Sequence, residues 1–273
     1  MKASAPSFAG TLVAIVSEET RTEAVESLSQ LSTGAVRTVL ISLGDRADAA
    51  PHEEGGAVAI EGLLPQYLNN AVASLRLSSL PTVAWWRAGD PRILPEVAAL
   101  VDRLIIDVED PSSCWPFVPT LAPLSSVSEL RWARLTRWRD LVAQFFDMPE
   151  VPATADAFGG LEIVGRDRFD ARLFAGWLKA RFPGGDRLQL EFRDGGAAPL
   201  ETVTLSGQAG SLEVRLLPNG NCLQTSLRLG REEMSTRVVA LGDQRAPALL
   251  REELRVRSRD LAFEEAVREA ERI

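Results

Sequence analysis

The sequence predicts an α/β chain in two parts. The first is a mostly parallel sheet with flanking helices; the second is a smaller α+β part with antiparallel strands and a long terminal helix. Three observations carry this. β-Branched runs alternate with helix-forming segments over residues 11–147, the pattern of a parallel sheet with crossovers. Two prolines within four residues interrupt the chain in Met148-Pro-Glu-Val-Pro-Ala-Thr154, favouring extended backbone. Beyond that break, short alternating segments are joined by glycine-rich turns, among them Asn219-Gly220. We therefore place an α/β domain at residues 1–150 and an α+β domain at 151–273.

In the first part, Thr11–Val16 reads as a buried strand and Thr20–Leu31 as a helix, with Thr20 and Glu23 spaced as a capping box. Val36–Leu43 and Val58–Ile60 read as strands, and Leu64–Leu77 as a helix. Pro81–Trp86 is a strand that stops at Gly89-Asp90-Pro91; Pro95–Val101 is a helix and Leu104–Val108 the next strand. Residues 109–125, with four prolines, read as loop. Ser126 and Glu129 form a second capping-box pair, so a long helix is expected to run to about Asp147. In the second part, Leu161–Val164 is a strand, Phe169–Phe182 a helix, and Arg187–Phe192, Glu201–Leu205, Ser211–Leu217 and Cys222–Leu229 are strands. Ala246–Ile273 reads as one charged helix.

Composition excludes several functions. The chain has 273 residues and a net charge of -8, which opposes the counterion release that drives sequence-independent nucleic-acid binding. No apolar run reaches the ~18 residues that cross a bilayer. The short run Thr11–Val16 meets Glu18 and Glu19 and reads as a strand, not a leader, so a cytoplasmic protein is expected. Cys114 and Cys222 are far apart and no CxxC occurs, which argues against a disulfide scaffold or a four-ligand zinc site. The single histidine, His52, lies in an acidic, glycine-rich segment read as loop, a poor setting for a general base.

Catalytic and cofactor motifs are scarce. Neither GxGxxG nor GxxxxGK[ST] is present, and the acids after the first strand would repel a dinucleotide phosphate. No cofactor and no metal are expected. Asp102, Asp107 and Glu109 surround the strand at Ile105-Ile106, where Asp107 falls near the carboxyl end that serves ligands in α/β folds. A strand-end acid that caps a turn is the plainer reading of these residues.

Arg131, Trp132, Arg134, Arg137, Trp138 and Arg139 form a tract without an acid. On a helix at 100° per residue, Leu135, Trp138, Leu141, Val142, Phe145 and Phe146 make one core stripe. Arg131 and Arg134 project onto the amino end of that stripe, Arg137 and Arg139 flank it, and Trp132 sits at its edge. Two readings stand side by side. One is a partner-binding patch, since Trp and Arg dominate interface hot spots. The other is an amphipathic helix whose arginines snorkel or pair with Asp102, Asp107 or Asp140. Arginine also reads phosphate and carboxylate bidentately, so Arg131, Arg134 and Arg139 could hold an anion. In Trp85-Trp86, a strand would turn the two rings to opposite faces.

Four strings together resemble one family. They are Leu80-Pro-Thr-Val-Ala-Trp-Trp86, Val101-Asp-Arg-Leu-Ile-Ile-Asp107, Leu130-Arg-Trp-Ala-Arg-Leu-Thr-Arg-Trp-Arg139, and Leu249-Leu-Arg-Glu-Glu-Leu254 with Arg259-Asp260. In this order they resemble the OpcA family of glucose-6-phosphate dehydrogenase assembly proteins. Ser32-Thr-Gly34 is a weaker similarity. Val108 stands where the family often has serine, and Ser128-Glu129 replaces the aspartate before the tryptophan helix. The resemblance implies a two-part α/β protein with no chemistry of its own. Such a protein binds glucose-6-phosphate dehydrogenase and promotes its active form in the oxidative pentose phosphate pathway. It also implies Trp85, Trp86, Asp107, Trp132, Arg134, Thr136, Trp138 and Arg139 as signature residues, divided in an unspecified way between contacting the partner and holding the fold. The thioredoxin-linked cysteines of photosynthetic relatives have no obvious counterpart in Cys114 and Cys222.

Overall fold

A computed structural model of the chain describes residues 8–32, 35–47, 49–76, 79–148, 151, 158–230, 232–256 and 258–273. Most of the Met148–Thr154 break, and Thr33-Gly34, lie outside these residues. By internal contacts the chain divides into two compact units. The first runs to Ala133 and takes in Arg245–Asp260; the second comprises Arg134–Gln244 and Leu261–Ile273.

The first unit is built on a sheet of seven strands. In chain order its elements are β1 (Gly10–Val16), α1 (Glu18–Leu31), β2 (Val36–Arg46), β3 (Pro51–Glu54), β4 (Ala57–Leu63), α2 (Leu68–Leu75), β5 (Thr82–Trp86), α3 (Leu94–Ala98), β6 (Arg103–Ile106), α4 (Val118–Leu121), β7 (Ser126–Glu129) and α5 (Leu130–Arg134). The strand order is β3-β4-β2-β1-β5-β6-β7, and every pair is parallel except β3 with β4. All seven residues of β1 and all five of β5 are buried. That is why both read as continuous apolar runs without alternation. The β1 core extends through Leu28 and Leu31 of α1 to Leu249, Leu250 and Leu254 near the end of the chain.

Three local expectations are corrected here. Ser126–Glu129 is not a helix cap. It is a strand whose four residues are all buried and which pairs with β6 from Arg103↔Ser126 to Ile106↔Glu129. Sheet pairing has overridden the local capping pattern. Residues 51–54, expected as loop, form a strand that hairpins onto β4. Its two-residue turn is Gly55-Gly56 at φ 56° and 81°, a conformation that glycine adopts without strain. Helix α1 opens at Ser17, whose N–H donates to Thr20 Oγ1 (3.2 Å), so Thr20 lies inside the helix and not at its cap.

The second unit holds α6 (Thr136–Phe146), β8 (Gly160–Gly165), α7 (Arg168–Arg181), β9 (Gln189–Asp194), β10 (Thr202–Gly207), β11 (Gly210–Leu216), β12 (Cys222–Leu229) and β13 (Glu232–Ala240). The helix Ala246–Glu253 (α8) returns to the first unit, and the terminal helix α9 (Leu261–Ala270) belongs to the second. The charged segment from Ala246 is thus two helices, where the sequence pattern suggests one. The six strands run in the order β13-β12-β11-β10-β8-β9. Their pairs are antiparallel except β8 with β9, which are parallel across the α7 crossover. Alternation is clean: Val203, Leu205, Leu212, Val214, Leu223 and Leu227 are buried on one face. Asp167 caps α7, its carboxylate accepting from Phe169 N at 2.8 Å.

Candidate functional site

The carboxyl ends of parallel strands are where α/β folds place ligands. In the first unit that edge is occupied by the chain's own side chains. Trp85, the penultimate residue of β5, is fully buried, and its indole Nε1 donates to Asp107 Oδ2 at 3.0 Å. Arg87 Nε stands 3.1 Å from the same oxygen, and Arg87 Nη2 donates to Glu23 Oε2 of α1 at 2.7 Å. The Arg87 guanidinium lies over the Trp85 ring, 4.9 Å from its centroid. Asp107 is therefore a strand-end acid tied to a tryptophan and an arginine. Trp86 is also fully buried; a Cβ added at Gly89, where φ is +126°, would lie 2.7 Å from its ring.

One strand over, Glu129 ends β7 with no exposed surface. Its Oε2 accepts from Trp115 Nε1 at 2.8 Å, and its Oε1 is 3.3 Å from Arg131 Nη1. Burial lifts its carboxyl above the ordinary range, opposed in part by the Arg131 charge and the two hydrogen bonds. Arg131 also donates to the carbonyls of Val108 (2.6 Å) and Glu109 (2.7 Å). Trp115 comes from the proline-rich stretch that reads as loop. One tryptophan in a non-periodic segment gives no sequence signal of such a role.

The tryptophan tract is divided. Trp132 is 2% exposed, and its Nε1 donates to Asp260 Oδ2 at 2.7 Å. Arg131 is 7% exposed. Neither side chain is presented to solvent, as a contact patch would require. In the second unit, Leu135, Trp138, Leu141, Val142 and Phe145 are buried as the helical projection requires, and Phe146 is half-buried. Thr136 and Arg137 are exposed. Arg139 is half-buried and donates to Thr136 Oγ1 at 3.1 Å. Arg134 Nη1 stands 3.7 Å from the fully buried Asp170. The structure thus groups Trp85, Trp86, Asp107, Arg131 and Trp132 in the first unit, and Arg134, Thr136, Trp138 and Arg139 in the second.

The other singled-out groups do not assemble into an acid/base pair. Asp102 and Asp107 flank opposite ends of β6, and Asp102 Oδ2 accepts from Thr82 N at 2.8 Å. Glu109 is exposed. His52, Glu54 and Glu61 bring ligand atoms within 4.8 Å of one another, but Arg21 already bridges both carboxylates. Burial pushes the Cys114 thiol up to about 11, which keeps it protonated and unreactive at neutral pH. Among the described residues no helix is long and apolar enough to cross a membrane.

The fold has counterparts among solved structures. It matches the crystal structure of an aldose-aldose oxidoreductase from Caulobacter crescentus with a TM-score of 0.56 at 8% identity, over 96% of this chain and 98% of that one. An oxidoreductase from Sinorhizobium meliloti matches at TM-score 0.50 and 11% identity, over 95% and 86% of the two chains. At such identities the likeness is one of architecture alone. Residues 125–267, just over half of the chain, match the OpcA-type family described as the C-terminal domain of a glucose-6-phosphate dehydrogenase subunit. The chain belongs to this family. An OxPP cycle protein OpcA of Nostoc punctiforme is 23% identical over 257 aligned positions, covering 78% of this chain and 54% of the relative. Its counterpart in Synechocystis is 25% identical over 126 positions, covering 42% and 26%. The chain spans about half the length of the first of these relatives.

Proposed function

We propose that the protein is a non-catalytic assembly or allosteric partner of glucose-6-phosphate dehydrogenase, acting in the cytoplasm and promoting the enzyme's active form in the oxidative pentose phosphate pathway. Family membership over residues 125–267 carries this reading. The site geometry supports it. The strand ends that would serve a substrate are closed by Arg87, Asp107, Glu129 and Arg131, which satisfy one another and their indole partners. A partner acts on the enzyme by binding its active conformation more tightly than the inactive one.

The signature residues then take different roles. Trp85, Trp86, Asp107, Trp132 and Trp138 hold the two units, since they are buried or tied into buried networks. Thr136, with Arg134 and Arg139, forms the accessible part of the signature, beside exposed Arg137. The test is dehydrogenase activity and oligomer mass with and without this protein. We expect both to rise, and Arg137→Glu to weaken the effect while leaving the protein's own melting temperature in place. Unchanged activity and mass, with no co-purification, would refute the proposal.

A further inference from the structure

The six-stranded sheet of the second unit ends on β9, which pairs with β8 alone among the described residues. Of its six residues only Leu190 is half-buried; the other five are exposed, and Phe192 is 41% exposed. Gln189 N donates to Gly159 O at 2.8 Å, on the β8 side. Peptide groups alternate along a strand, so those of Glu191 and Arg193 also face β8. The N–H and C=O groups of Leu190, Phe192 and Asp194 therefore point outward. Such a row of donors and acceptors is a template for a further strand.

Charges on an edge strand usually prevent such pairing, because identical strands then repel. The charges of β9 do the opposite. Its sequence, Gln189-Leu-Glu-Phe-Arg-Asp194, is self-complementary about Phe192. In an antiparallel pair of two copies centred there, Phe192 faces Phe192, Glu191 faces Arg193 and Leu190 faces Asp194. The hydrogen-bonded positions of this register are 190, 192 and 194, whose peptide groups point outward. Glu191 and Arg193 fall at non-hydrogen-bonded positions, where facing side chains come closest. The nearest slips that keep the bonds would set Glu191 against Glu191 or Arg193 against Arg193, so charge selects the centred register. The faces also agree. Leu190 and Phe192 lie beside Leu161 and Ile163 on the apolar face of the sheet, Glu191 and Arg193 beside Glu162 and Val164 on the other. Within one chain Arg193 reaches Glu191 at 2.8 Å and Glu162 at 3.2 Å. A guanidinium has five donors, enough to add a carboxylate from across the edge.

We propose that β9 is a docking edge for a second copy of this chain, which adds its own β9 antiparallel about Phe192 and joins the two six-stranded sheets across a two-fold axis. The two-fold makes the contact closed, so a dimer forms and not a filament. The facing positions 190–194 make an interface well below the ~1,200 Å² of a stable one, so the dimer is weak and concentration-dependent. The inference is independent of the dehydrogenase partnership, since self-association is read on the isolated protein.

The test is sedimentation velocity on the full chain at concentrations up to about 500 µM, where the mass should climb from one chain toward two. Glu191→Arg and Arg193→Glu each set like charges opposite one another at two symmetry-related positions. Each should weaken self-association at least about tenfold. Both side chains are more than half exposed, so the melting temperature should stay in place. An equimolar mixture of the two variants should dimerise again, because each offers the charge that the other lacks. The doubly substituted chain, Glu191→Arg with Arg193→Glu, should associate as the parent does. A single-chain mass at every concentration, a dimer that neither variant weakens, or a mixture and a double variant that both stay monomeric would overturn the proposal. A monomeric parent whose binding to the dehydrogenase is lost in the two single variants would assign the edge to that partner and overturn self-pairing.

Discussion

Glu129 shows how one residue at the carboxyl edge of the sheet sets a measurable property. Its carboxyl is raised above the ordinary value chiefly by burial. A group raised on folding favours the folded state most below its unfolded value, about 4.3, and that contribution is lost as pH rises through the folded value. Glu129→Gln removes the titration. Urea unfolding from pH 4 to 8 should therefore show the variant gaining stability relative to the parent as pH rises. A parallel pair of curves would mean that Arg131 and Trp115 fully compensate the burial. Trp132 gives a second residue-scale expectation. Trp132→Phe keeps the buried ring but removes the 2.7 Å donation to Asp260, and should cost about 1–3 kcal/mol by the same assay.

At the scale of elements, Gly176 decides how closely α7 and α9 approach. A Cβ there would lie 2.2 Å from Ala266 O and 2.8 Å from Ala270 N, both backbone atoms of α9. Alanine improves helix propensity by about 0.8–1.0 kcal/mol, yet overpacking against rigid backbone costs about 1–3 kcal/mol. Gly176→Ala should therefore lower the melting temperature. The sequence marks this helix by its apolar spacing and its Asp167 cap, but nothing local reveals that its partner lies some ninety residues on. The same limit explains Ser126–Glu129. Its capping-box spacing is a true local signal, and only pairing with β6 shows that the segment is a strand. The hairpin at residues 51–63 leaves a visible trace: Gly55-Gly56 separates two extended runs, but the acids around His52 obscure the first of them. The aromatic stripe of α6 is legible because its period is helical. The burial of Trp132 is not, because its cover comes from Asp260, distant in sequence.

For the whole molecule, the architecture leaves the chemistry open, and the side chains at the strand ends decide it. The architecture is shared with two oxidoreductases, while the strand-end chemistry here is spent on internal pairing. After β1 the chain enters α1 through Ser17, with Glu18 and Glu19 exposed in its first turn. A dinucleotide pyrophosphate at that helix start would meet two carboxylates, where the helix dipole and free N–H groups otherwise attract it. Beyond it stands Arg87, held between Glu23 and Asp107 and stacked on Trp85. To serve a phosphate, Arg87 would have to leave two carboxylates, one of them mostly buried with Trp85 Nε1 bound to it. Fluorescence titration of the isolated protein with NADPH should therefore show no saturable binding up to millimolar concentration. Glu18→Ser with Glu19→Gly removes the two acids, but should not create a site, because the Arg87–Asp107–Trp85 cluster still fills the strand ends. Saturable NADPH binding by this double variant, with the parent silent, would show that the acids alone exclude the cofactor and that the cluster is incidental. Saturable binding by the parent would count against the proposed non-catalytic role.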